Sequence, residues 1–182
     1  MAPISIVDHR GRAVARVSGF VCLLLVTTIS GCGGQGQSVH TGSRQVCSPS
    51  LESCDVGDTG IGGGIVFSVS GTGPDRVVLE YAPAGWSGTS NDPPLDWESA
   101  KRAADGYRSG DAHAWRLPSK DELKALFAYW KESGDGGLSA SLYWSSSAWG
   151  GGSAWYLSFD DGDEYHSFRE STNFVRPVRS DS

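Results

Sequence analysis

Residues 115–130 read WRLPSKDELKALFAYW, and this stretch spells out a helix together with its start. Ser119 suits the N-cap, and Glu122 stands three residues later, the S-x-x-E spacing of a capping box. Asp121 and Glu122 put negative charge in the first turn, where unpaired backbone N–H groups favour it. Leu123, Leu126, Phe127 and Trp130 then fall at i, i+3, i+4 and i+7, one continuous apolar stripe. Gly134 is the stop signal. Pro118 disfavours helix in the residue before it, so Arg116–Pro118 should arrive extended. An extended segment running into a capped amphipathic helix builds core. Nothing in it is chemical.

Working outward, the amino end is of another kind. Arg10, Arg12 and Arg16 precede an apolar run, Val17–Ile29. A membrane-spanning helix needs about 20 apolar residues; this shorter run suits the hydrophobic region of a secretory signal. It ends in Ile29-Ser30-Gly31-Cys32, which resembles the bacterial lipobox, with Cys32 as the lipid-bearing residue. Residues 1–31 are then expected to be a lipoprotein signal peptide. Loss of three Arg and one Asp would leave 12 Lys+Arg against 20 Asp+Glu, a net charge of −8. That acidic balance argues against nucleic acid as a partner. Gly33 rather than Asp after the cysteine agrees with outer-membrane sorting in a host that has an outer membrane. The expected partner is the membrane itself, and the expected location the cell envelope.

Residues 33–57 are rich in Gly, Ser and Gln and poor in large apolar side chains. Such a segment cannot offset its ordering entropy and reads as a flexible tether, residues 32–57 in all. Cys47 and Cys54 lie within it, and an exported protein meets an oxidising compartment, so a disulfide between them is expected. Two cysteines without further Cys or nearby His make a weak metal site.

The folded domain, residues 58–182, begins with Ile65–Ser70 and Val77–Ala82 as a hairpin pair around the turn residues Gly71–Pro74. Gly62-Gly63-Gly64 is followed by neither Lys-Ser/Thr nor a helix, so close backbone packing is expected there and not a phosphate loop. Asp96 caps a second helix with Trp97, Ala100, Ala104 and Tyr107 inward. After the organising helix the pattern turns to strands: Tyr143–Ser147, Ala154–Phe159, Glu164–Phe168 and Phe174–Arg179, with Asp161-Gly162 as a tight turn. Pro177 removes a ladder donor and predicts an edge or a bulge in the last of them. Helices segregated from antiparallel strands make the class α+β.

Six blocks carry a family resemblance: VGDTGIGGGIVFSV (56–69), YAPAGW (81–86), WRLPSKDEL (115–123), YWSSS (143–147), AWYLSFDDG (154–162) and VRPVR (175–179). In this order they resemble the Lcl C-terminal domain family, a domain of unknown function, and the related Fibrobacter succinogenes major paralogous domain. The resemblance implies a C-type-lectin-like fold with two helices and a small irregular antiparallel sheet. It also implies lipoproteins and surface proteins as the usual setting, and it brings no catalytic residues.

Seven Trp lie between Trp86 and Trp155. Trp115, Trp130, Trp144 and Trp155 sit inside patterned elements and are expected in the core. Trp149, in the Gly-rich stretch Ala148–Ser153, has no pattern to bury it and is the leading exposed candidate for a ligand, with Trp86 second. Asp160, Asp161, Asp163 and Glu164 crowd one hairpin tip, but they lack the EF-hand pattern, and a solvated turn is the expectation. His113 and His166 read as hydrogen-bonding residues in buried corners. No metal, cofactor or catalytic residue is expected. The expected function is non-catalytic binding of a glycan or protein, as in an adhesin. The alternatives are an envelope hydrolase using carboxylates such as Asp160, Asp163 or Glu164, and a structural role in envelope assembly.

Overall fold

The computed structural model describes residues 44–182. The expected signal peptide, Cys32 and the first part of the expected tether lie outside the described residues.

Two helices and two sheets build an α+β fold. Strands β1 (Ile65–Ser70), β2 (Val77–Tyr81) and β8 (Val178–Asp181) form a three-stranded antiparallel sheet in the order β1-β2-β8. A five-stranded sheet has the order β3-β7-β4-β5-β6. Its strands are β3 (Pro94–Leu95), β4 (Leu142–Gly150), β5 (Ser153–Ser158), β6 (Glu164–Phe168) and β7 (Asn173–Phe174). β4, β5 and β6 form the meander. β7 joins β4 by a single parallel register pair, Tyr143 with Phe174, so the larger sheet is mixed.

Helix α1 (Trp97–Gly106) starts at Asp96, whose carboxylate accepts from the Ser99 amide. Helix α2 (Lys120–Ser133) has both halves of the capping box: Ser119 Oγ accepts from the Glu122 amide, and Glu122 accepts from the Ser119 amide at 2.7 Å. Gly134 ends it at φ 65°, a left-handed conformation that glycine adopts without steric cost. Of the predicted stripe, Leu123 and Leu126 are buried, whereas Phe127 and Trp130 are half-buried and pack from the side on Phe159.

The larger sheet has core on both faces. One face, with α2 and the small sheet, encloses Ile65, Phe67, Tyr81, Leu126, Tyr143, Leu157 and Phe159. The other holds Trp97, Ala100 and Ala104 of α1 against Trp144, Ala154 and Val175. The two alanines let the helix backbone approach the sheet closely.

Three expectations are corrected. First, residues 44–57 do not behave as tether: Cys47 and Cys54 are disulfide-bonded, and with Leu51 they pack on Val66 and Val78. Backbone bonds between Gln45, Cys47 and Thr59 tie the lobe down. Composition misleads here because one covalent link and three buried side chains replace a larger apolar surface. Second, the last strand is two strands. Pro177 falls between β7 and β8, where the chain leaves one sheet for the other, and β8 is an edge. Third, Trp130 and Trp155 are half-buried, while Trp115 and Trp144 are core.

The glycine run is held close, as its composition suggests. The Gly62 and Gly64 amides donate to the two oxygens of buried Glu80, at 2.8 and 2.7 Å. A side chain on Gly64 would come within 2.6 Å of the Tyr81 carbonyl.

Candidate functional site

The β4–β5 hairpin turns on Gly151 and Gly152, both at positive φ, the geometry of a tight turn whose twist matches its strands. Trp149 stands just before this turn, inside β4 and not in a loop as its Gly-rich surroundings suggest. Two register shifts break the β4 ladder between Trp144 and Gly150, and such bulges re-aim side chains. The Ser147 hydroxyl accepts from the Lys120 amide, and the Ser146 amide donates to the Pro118 carbonyl, so this ribbon is fastened to the start of α2.

The fastening assembles an aromatic plate. Trp149 is 53% exposed. Its indole stacks on the His166 imidazole with centroids 4.6 Å apart and planes within 9°. Trp155, the cross-strand partner of His166, meets Trp149 edge-on at 4.7 Å. Lys120 Nζ lies 4.0 Å above the Trp155 ring and 3.0 Å from Glu164, which also pairs with Lys124 at 3.8 Å. His166 is exposed, as is His113; neither occupies a buried corner. The signal that finds His166 is its register opposite Trp155, which exists only once the strands pair.

The other residues singled out from sequence are dispersed. Trp86 packs against the α1 side of the core, its Nε1–H donating to Asp92 at 2.8 Å and its ring edge-on to Tyr107. The acidic tip divides its work. Asp161 accepts from the Asp163 amide at 2.9 Å; that bond and others within the turn hold its carboxyl below the usual range. Glu164 answers the α2 lysines, and Asp160 lines a hollow elsewhere. Gly162 completes the turn at φ 85°, and a side chain there would meet the Phe127 ring at 2.6 Å. Among the described residues no group of three or more His, Cys, Asp or Glu converges as a metal site.

Sequence reading misses a buried pair, Arg176 and Asp92. Arg176 Nε and Nη2 donate to Asp92 at 2.9–3.0 Å, and its remaining donors reach the carbonyls of Ala82, Gly136 and Gly137. Asp92 accepts further bonds from Trp86 and from the Tyr143 hydroxyl at 2.9 Å. A guanidinium with its donors used in this way is positioning material. It braces the loops behind the sheet and leaves no free acid.

Comparison with curated proteins gives no match. The family model for the Lcl C-terminal domain matches residues 83–179, which is 97 of the 182 residues and runs from the loop after β2 to the start of β8. The chain belongs to the Lcl C-terminal domain family.

Proposed function

We propose that this is a lipid-anchored cell-envelope protein whose domain binds a glycan or protein ligand without catalysis, with the Trp149 plate as the contact surface. One observation carries the reading: a tryptophan is held half in water by stacking on His166 and by the edge of Trp155, although burial would be the default for so large an apolar group. Rings fixed by their neighbours lose little freedom on binding, which favours affinity. The apolar face of a pyranose matches an indole face, and the exposed His166 ring beside it carries nitrogens that suit its hydroxyls. The apolar run Val17–Ile29 and the lipobox-like Ile29–Cys32 support an exported, membrane-held setting.

The test is a glycan array and a cell-surface pull-down with the full chain and its Trp149→Ala variant. A ligand that the variant binds about thirtyfold more weakly is the expected result, since hot-spot aromatics commonly contribute about 2 kcal/mol or more. Equal binding by both proteins would remove the plate from the account. Release of the native protein from membranes without a lipid on Cys32, seen by mass spectrometry, would remove the anchor.

A further inference from the structure

At the opposite end of the β4–β5 hairpin the larger sheet is short. β3 and β7 contribute two residues each against nine in β4, and a hollow of about 520 Å³ opens where they stop. Its walls include the apolar Leu142 and Phe174 and the polar Ser141, Asp160, Thr172 and Asn173. The volume lies within the usual range for small-molecule sites, which are mostly apolar with a few placed polar groups. Asn173 is only 7% exposed, and its Nδ2 has no hydrogen-bond partner among the described residues. Asp161 and Glu164 are engaged by their own turn and by lysines; Asp160 faces this hollow instead.

We infer that this hollow is a second binding site, taking a single sugar ring that carries no acidic group. The hydroxyl and carboxylate groups of the lining suit a ring's hydroxyls, and Leu142 with Phe174 suits its C–H face. Asp160 is the one charged residue of the lining, so a uronate would meet repulsion with no cation to answer it. The site lies about 23 Å along β4 from Trp149, seven residues at roughly 3.3 Å each. It therefore stands or falls apart from the aromatic plate.

The experiment is a nitrogen-15 NMR titration of the full chain with methyl glucoside, galactose, N-acetylglucosamine and glucuronate at millimolar concentrations. A neutral sugar should shift the amides of Ser141, Leu142, Asp160 and Asn173, and glucuronate should not. Asp160→Ala, at an exposed position that leaves the fold intact, should weaken that binding about tenfold, while Trp149→Ala leaves it unchanged. Shifts confined to the surroundings of Trp149 and His166 would overturn the second site while supporting the first. No shift with any neutral sugar, or equal shifts with glucuronate, would also overturn it.

Discussion

Arg176 is 2% exposed and Asp92 7%, and each satisfies the other while also serving loop groups. Removing one member strands a buried charge, which is costlier than losing an exposed ion pair. Arg176→Met should therefore lower unfolding stability by about 3–5 kcal/mol in urea titration, leaving a carboxylate without its counter-charge and three unpaired carbonyls. A loss under about 1 kcal/mol, the worth of an exposed pair, would show that the bracing is dispensable. The sequence offers little warning of this residue. A charge within VRPVR reads as the outward face of a strand, and its partner lies 84 positions away, just before Pro93 and Pro94.

At the scale of elements, local chemistry was readable and long-range register was not. The start of α2 follows from Ser119 and Glu122, and its end from Gly134, because caps are decided within four residues. β1 likewise matches its β-rich run, Ile65–Ser70. The exposure of Trp149 was legible, but its place inside β4 was not, because strand alternation names a face only while the pleat is regular and β4 shifts register twice, between Trp144 and Ala148 and between Ala148 and Gly150. The Cys47–Cys54 lobe escaped because composition counts apolar residues and does not weigh a covalent link. Its closed loop is short, so the link should contribute about 2–3 kcal/mol by restricting the unfolded chain. Reductant should accordingly lower the melting temperature, and a Cys47→Ser, Cys54→Ser double variant should match the reduced protein. Identical melting with and without reductant would count against the lobe as a part of the core.

For the molecule as a whole, the buried carboxylate of Glu80 sets a pH response. Burial is the main cause that pushes its pKa up to about 7, aided by a hydrogen bond shared with Asp181 and opposed by the Gly64 and Gly62 amides. With the folded value above the unfolded one, its contribution is fully present below the ordinary carboxylate range. It declines as pH rises toward about 7, where the folded state must ionise a buried acid. Glu122 works the other way. Burial raises its pKa, but Arg116 and the Ser119 amide outweigh that and leave it lowered, so its share is lost in stronger acid. Stability should therefore peak in mildly acidic solution and fall between pH 5 and about 8, as denaturant midpoints would show. Glu80→Gln should flatten the fall. An unchanged slope in that variant would assign the effect to other groups.

Because one guanidinium binds the carbonyls of Ala82, Gly136 and Gly137 together with Asp92, none of these segments can swing out without breaking bonds that the others share. Loops that would ordinarily breathe separately are bound into one cooperative opening unit, so the back of the larger sheet loosens all at once or stays shut.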